Sequence, residues 1–402
     1  MPITYSPIMR IAVISESFLP TISGVTTSVC KVLEHLAATG HDAMVIAPAG
    51  APAEYAGFPV HTVSAFNYRE FPVGMPSPQV QKLLADFRPD VLHAASPFLL
   101  GAQGISAANR LDIPSVAIFQ TDVAGYAHRN HLGPAAALAW RFVKWVHEGA
   151  TRTLVPSSSS MAALLRLGVP RLALWTRGVD LTGFHPNLKN DPAVTALRER
   201  IAPLPRAPHA EGAARDVIVG YVGRMAPEKQ VERLRALRGI SGIRLALVGD
   251  GPSVPSIQRA LADLPVTWLG RLSGRELAVA YASFDVFVHA GTEETFGQTI
   301  QEAHAAGLPV VAPHAGGPID LVAHGENGYL FRPDDDRDLR HWVCQLVRDP
   351  MLRARMGEAG RRAVLGRSWP TVCAELVEYY EQAVDERLAV RADTHIPPSM
   401  QR

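Results

Sequence analysis

Gly291-Thr-Glu-Glu-Thr-Phe-Gly-Gln-Thr-Ile-Gln-Glu302 lies between two apolar runs, Phe284-Asp-Val-Phe-Val-His289 and Gly307-Leu-Pro-Val-Val-Ala312. Each run is short and does not alternate, as expected of strands buried on both faces of a parallel sheet. The stretch between them opens as a loop and continues as a helix through Ala303-His-Ala-Ala306, which makes a βαβ unit. The loop therefore falls at the carboxyl end of a strand, where open α/β sheets bind their ligands. Glu294 and Glu302 stand eight positions apart across the loop-to-helix junction. A helical rise sets their separation at about 12 Å at most. Thr295, Phe296 and Gly297 lie between them, at a helix start whose free N–H groups and dipole favour an anion. One carboxylate can take sugar hydroxyls and the other a ribose, with phosphate between. Glutamates at this spacing also occur on solvated helices, so the flanking strands carry the argument.

Working outward, Met9-Arg-Ile-Ala-Val-Ile-Ser15, His41–Ala47, Val91–His93, Ser115–Gln120 and Thr153–Val155 read as strands of a first series. A helix over about Val25–Thr39 ends at Gly40. A second series comprises Val217–Val222, Arg244–Val248, Val266–Leu269, Val286–Val288 and Pro309–Ala312, with helices over Val231–Leu237 and Ser273–Ser283. Strands alternating with helices predict an α/β fold of doubly wound sheets. Pro186, Pro192, Pro203, Pro205 and Pro208 punctuate a polar segment read as the connection between the two. The expected boundaries are a first domain at 9–185, a linker at 186–209, a second domain at 210–368, a last helix at 369–390 and a disordered tail at 391–402. On that helix Val372, Leu376, Tyr379, Tyr380 and Ala383 share a face.

A chain of 402 residues, 47% hydrophobic and 19% charged, is a globular protein with sizeable cores. Lys plus Arg number 39 against 38 Asp plus Glu, so no basic excess suggests a nucleic-acid partner. Cys30, Cys344 and Cys373 have no metal or disulfide spacing, which fits a reducing cytoplasm. Residues 1–10 lack the apolar core of a signal peptide, and no apolar run reaches membrane-spanning length.

Three further segments can carry chemistry. Gly223-Arg-Met-Ala-Pro-Glu-Lys229 follows a strand of the second series, and its cations Arg224 and Lys229 suit a diphosphate that leaves with added negative charge. The loop after the first strand ends at Gly24, where a missing side chain lets backbone approach a ligand. Gln120 and Asp122 end a strand of the first series and can reach a sugar hydroxyl or the reaction centre; a strand-end cap is the plain alternative. No G-x-G-x-x-G follows the first strand, which counts against a nicotinamide oxidoreductase. His93, His128, His131 and His289 show no metal-ligand spacing. Trp140-Arg-Phe-Val-Lys-Trp-Val-His147 mixes aromatics with cations on one helix, which suits either packing on the sheet or an anionic lipid surface.

Together these segments resemble the retaining glycosyltransferases of family 4, which have the GT-B fold. The family's Glu-x7-Glu motif stands as Glu294–Glu302, and its Gly-Arg…Lys segment as Gly223, Arg224 and Lys229. Ser15–Pro20, Phe119–Gly125 and Thr176-Arg-Gly-Val-Asp180 resemble the GDP-mannose-dependent branch that acts on membrane glycolipids. The resemblance implies two Rossmann-like domains facing across a cleft, with the last helix crossing back to the first. It implies GDP-mannose as donor, a lipid-linked or glycolipid acceptor, no metal, and a cytoplasmic protein touching the inner membrane face. Arg224 and Lys229 would stabilise the leaving diphosphate, Glu294 would hold the donor sugar, Glu302 the ribose, and Arg271 would approach the base. Acceptor contacts would fall around Phe66–Phe71 and His128–His131. Two departures stand out. Gln120 occupies the place of a histidine found in many relatives, so only its amide oxygen is left to stabilise an oxocarbenium-like centre. Ser23-Gly24 stands where relatives often have two glycines. A UDP-sugar donor, a nucleotide-sugar epimerase or hydrolase, and a non-catalytic sensor remain open at this level.

Overall fold

The computed structural model describes residues 7–21, 23–68, 71–120, 133–203 and 215–394. Contacts divide the chain into two compact units, one of residues 1–177 with 369–402 and one of residues 178–368.

The first unit is built on an eight-stranded sheet. In chain order its strands are β1 Arg10–Ser15, β2 Asp42–Pro48, β3 Glu54–Tyr55, β4 Phe58–Val63, β7 Val91–Ala95, β8 Ser115–Ile118, β9 Arg152–Val155 and β10 Leu172–Leu174; β5 Ala65–Tyr68 and β6 Phe71–Gly74 form a separate hairpin. The sheet order is β10-β9-β8-β7-β1-β2-β4-β3. All its pairings are parallel except that of the short edge strand β3. Successive residues of β1 serve opposite faces, the period-two rule of a strand. Ile11 and Val13 pack with Val29 and Leu33 of helix α1 (Gly24–Ala38), while Ala12 and Ile14 pack with Leu100 and Ile105 of α3 (Leu99–Arg110). Between them lies α2 (Gln79–Phe87), which buries Val80 and Leu84 on the same side as α3. Two more helices follow, α4 (Gly133–Gly149) and α5 (Ser158–Arg166).

The second unit has a six-stranded parallel sheet of order β13-β12-β11-β14-β15-β16. The strands are β11 Val217–Val222, β12 Ile243–Val248, β13 Val266–Gly270, β14 Val286–Val288, β15 Val310–Pro313 and β16 Gly328–Phe331. Its helices are α6 (Pro192–Ile201), α7 (Val254–Ala260), α8 (Gly274–Ser283), α9 (Gln298–Ala305), α10 (Pro318–Leu321), α11 (Asp336–Arg348) and α12 (Pro350–Val364). Val286 and Val288 face Leu339 and Val343 of α11, whereas Phe287 faces Tyr281 of α8 and Ile300 of α9. The last helix, α13 (Trp369–Thr394), belongs to the first unit. It buries Val372, Leu376, Tyr380 and Ala383 on the β1 face, and the Tyr380 hydroxyl meets His93 Nδ1 at 2.6 Å. Burial pushes His93 down to about 3, so it is a neutral core residue.

Three expectations need correction. The unit boundary lies at Arg177/Gly178, and the proline-punctuated segment is not a free linker over its described part. Pro186 and Pro192 open helical turns, where a missing N–H costs nothing. Val194 of α6 packs on Val279 and Ala282 of α8, and Arg198 Nη2 pairs with Asp285 Oδ2 at 3.0 Å. Residues 231–237 form a 3₁₀ helix rather than an α-helix. Val231, Leu234 and Leu237 are its buried residues, and a three-residue spacing fits three residues per turn. The last helix runs to Thr394, past the expected end at 390. Residues 395–402 lie outside the described residues, as do 204–209 of the expected linker.

Candidate active site

In the second sheet the chain moves outward from β11 through β12 to β13, then from β14 through β15 to β16. The direction reverses between β11 and β14, the topological switch point at which such sheets hold ligands. The two loops that leave the sheet there are Gly223–Lys229 and Gly291–Gly297, the segments that the sequence marks for chemistry. Lys229 Nζ donates to Glu294 Oε2 at 2.6 Å. The two side chains are 22% and 17% exposed, so the pair is shielded but reachable. Gly291 makes their approach possible, since a Cβ there would stand 2.7 Å from the Glu228 carbonyl and 3.0 Å from Lys229 Cα. Gly317 N donates to the Glu294 carbonyl at 2.7 Å and fixes the loop from the other side.

Helix α9 then starts from Gly297, which has a φ of 103° and supplies no side-chain cap; no acid lies in the first turn. The backbone end is dressed for an anion. Phe296 is buried at 2% exposure, and its backbone N donates to Glu294 Oε1 at 3.5 Å. Thr295 is half-buried in the same turn. Glu302, one helix face below, accepts the Tyr281 hydroxyl at Oε2, 2.8 Å away. Burial pushes its carboxyl up to about 7, Asp180 adds to the rise, and the Tyr281 and Gln298 side chains offset part of it. His289 Nε2 lies 3.8 Å from Glu294 Oε2, but burial holds the imidazole down to about 4 and therefore neutral at pH 7.

Arg224 is exposed at the turn after β11, where Tyr221 Oη donates to its carbonyl at 3.1 Å. Arg271 is exposed at the carboxyl end of the edge strand β13. Thus the unit brings Gly223, Arg224, Lys229, Glu294, Thr295, Phe296, Gly297 and Arg271 to one edge of its sheet. A cavity of about 520 Å³ opens beside the 227–230 turn, lined by Pro227, Gln230, Arg233, Ser253 and Asp334 among others. Its Arg233 is already paired with Asp336 at 3.0 Å and Asp334 at 3.3 Å.

In the first unit, Gln120 ends the run that begins with β8 and is 6% exposed. Its Oε1, the atom assigned to an oxocarbenium-like centre, accepts instead from Arg177 Nη2 at 2.7 Å. Gly24 begins α1, and Ser23 Oγ caps that helix by accepting from Thr26 N at 3.1 Å. Arg177 and Tyr281 were missed as site neighbours in the sequence; the first appears there only inside Thr176–Asp180. Asp122 and His128–His131 lie outside the described residues, as do the side chains of 66–73.

Residues 22–182 match the family described as Glycosyltransferase Family 4, and residues 208–363 match Glycosyl transferases group 1. A GDP-mannose-dependent alpha-mannosyltransferase of Mycolicibacterium smegmatis is 45% identical over 389 residues, which covers 94% of this chain and 99% of that one. The chain belongs to glycosyltransferase family 4. A second family 4 relative of the same description, from Mycobacterium tuberculosis, is 44% identical over 93% of this chain and 96% of its own. Among solved structures, HepE of Anabaena in complex with UDP superposes with a TM-score of 0.75 at 20% identity, covering 93% of this chain and all of that one. Sucrose-phosphate synthase of Thermosynechococcus elongatus gives 0.73 at 21% identity, covering 93% and 98%. These likenesses place the family 4 chain in the GT-B fold class. It is a glycosyltransferase, and its two parallel sheets are the two halves of that class.

Proposed function

We propose that the protein is a retaining α-mannosyltransferase that moves mannose from GDP-mannose to a lipid-linked or glycolipid acceptor of the cell envelope. The observation that carries this reading is the Lys229–Glu294 contact of 2.6 Å at the switch point of a nucleotide-binding type of sheet. The relatives that are 43 to 45% identical, all described as GDP-mannose-dependent, support the donor. In the reaction an acceptor hydroxyl attacks C1 of mannose on the face that the diphosphate leaves. The new C1–O bond forms as the old one breaks, and a diphosphate oxygen takes the hydroxyl proton. Arg224, Lys229 and the N-terminus of α9 stabilise the leaving charge. Glu294 holds sugar hydroxyls and Glu302 the ribose, while Arg271 approaches the base. The two cations do what a divalent ion does in other transferases, so no step in this reading calls on a metal.

A peripheral contact with an anionic membrane, at the cytoplasmic face, belongs to the same proposal. On α4 the residues Leu138 and Trp145, spaced seven apart on one helix face, are 66% and 55% exposed, with Arg141 exposed between them. Val143 and Val146 pack inward. No described helix is long and apolar enough to cross a membrane. Binding to anionic vesicles should fall with salt and in the Arg141→Glu, Lys144→Glu variant. Binding indifferent to both removes the membrane contact from the proposal.

The test of the reaction begins with thermal stabilisation by GDP, UDP, ADP and NAD. A GDP-selective rise, followed by α-linked mannose in a lipid extract, is the expected result. A rise with UDP alone overturns the donor, a β-linked product overturns retention, and free mannose released faster than it is transferred points to a hydrolase.

A further inference from the structure

Arg177 ends the first stretch of the first unit and is only 9% exposed. Its Nη2 reaches Gln120 Oε1 at 2.7 Å across 57 positions of sequence. Its Nη1 fills the space beside residue 24, where a Cβ would come within 2.5 Å of it. One guanidinium therefore touches both described candidates of this unit, and the missing side chain of Gly24 makes room for that guanidinium. Arginine has donors only, so the atom of Gln120 that faces it must be the oxygen. The orientation of an amide, commonly ambiguous, is settled here by chemistry. The NH₂ group is turned the other way. A charged donor on the oxygen also draws electron density from the amide and strengthens its N–H groups as donors.

We propose that Arg177 is a positioning residue for Gln120: it turns the amide so that Nε2, and not Oε1, is offered to an electron-rich oxygen of the substrate during transfer. This rests on the mannosyl-transfer reading above. It replaces the expectation that Gln120 acts through its oxygen, and it explains why the residue is uncharged. A histidine cation at this position would be repelled by a guanidinium at the 2.7 Å contact. The pair divides the work, with Arg177 supplying the charge and Gln120 the contact.

A double-mutant cycle tests the proposal. In turnover of GDP-mannose, Arg177→Met and Gln120→Ala should each lower kcat about 30-fold with the donor KM little changed, the size of one charge-assisted hydrogen bond. The double variant should fall no further than the worse single one, because the two act as a unit. Arg177→Lys, which can still donate to Oε1, should recover about tenfold over Arg177→Met. Losses that multiply in the double variant, or full activity in Arg177→Met, overturn the proposal. Thermal unfolding reads the contact without any substrate: the Cβ of Gly24→Ala meets only the end of the Arg177 side chain, so the variant should lower Tm slightly beside Arg177 and not beside Arg177→Met. Equal losses in both backgrounds overturn the geometry. A wild-type protein that turns over no sugar nucleotide sinks the transfer reading and this role of Gln120 together. A wild-type enzyme that transfers mannose while the cycle is additive removes Arg177 alone.

Discussion

Each sheet has a switch point between two parallel strands, β1 and β7 in the first unit and β11 and β14 in the second, yet the two places use charge in opposite ways. In the second unit Lys229 and Glu294 hold each other, remain partly exposed, and lie beside a helix start that no side chain caps. In the first unit the carboxylate at the corresponding place, Glu16, is turned inward. Its Oε1 accepts from Phe98 N at 2.7 Å and Gly101 N at 2.8 Å, so it closes the amino end of α3. Burial raises its carboxyl above the usual range, although those backbone donors hold it back. One reversal point keeps its anion-seeking end open and the other fills it with protein. The topology thus offers two such places, and local capping leaves only one of them open to an anion.

The sharpest way to break this contrast is Glu294→Gln. Turnover should fall about a thousandfold or more while the fold persists, because the variant removes the charge proposed to hold the sugar and leaves Lys229 without its charged partner. Steady-state transfer together with circular dichroism checks it. Normal turnover would make the ion pair a structural strut like that of Glu16.

Next in size is Lys229→Ala. Affinity for free GDP should drop about 10- to 100-fold, the loss of one or two charge-assisted contacts to phosphate. Calorimetric titration reads this directly, and unchanged affinity would mean that the open helix end holds no phosphate.

Glu16→Ala probes the other side of the comparison. It strands two backbone N–H groups at the start of α3, at a cost of about 2 kcal/mol in stability. Glu16→Gln keeps an acceptor and should lose less than half as much. GDP affinity should stay within about twofold in both, since the change is confined to the architecture of the first unit. A variant that keeps its Tm and loses turnover would show that the first reversal point is also a working site.

How much of this was legible in the sequence follows from distance along the chain. The β14–α9–β15 unit could be read because its strands, loop and both glutamates fit within one short stretch, and because an unalternating apolar run means a strand buried on both faces. Prolines misled the boundary, because a proline that opens a helical turn leaves the same mark as one in a connector. Arg177 could not be placed, since its partners Gln120 and Gly24 are brought to it only by the packing of β8, α1 and the end of the 175–177 segment. The same holds for Tyr281 over Glu302: a buried tyrosine of α8 gives no sign in the sequence of where its hydroxyl goes. Gln120 lies two residues past the end of β8, which was expected to reach it, and the direction of its amide is a tertiary fact.

Glu302 yields the smallest effect and the finest test of the open reversal point. Its ordinary carboxyl value is 4.5, and burial raises it to about 7 in the protein without ligand. Near neutrality a good share of the molecules therefore carry a proton there. In the proposed reading, ribose hydroxyls donate to this carboxylate, favour its charged form and pull the value down, so binding should release a proton. The release should approach about half a proton at pH 7 and fade toward pH 9, where the free protein is already ionised. Binding itself should tighten as the pH rises through 7. GDP-mannose is the right probe, because its diphosphate has no proton of its own to lose in this range. Calorimetry in buffers of different ionisation enthalpy measures the release, and Glu302→Gln should abolish it. Proton release that survives in that variant would assign the ribose to another residue, while leaving the Lys229–Glu294 site as it stands.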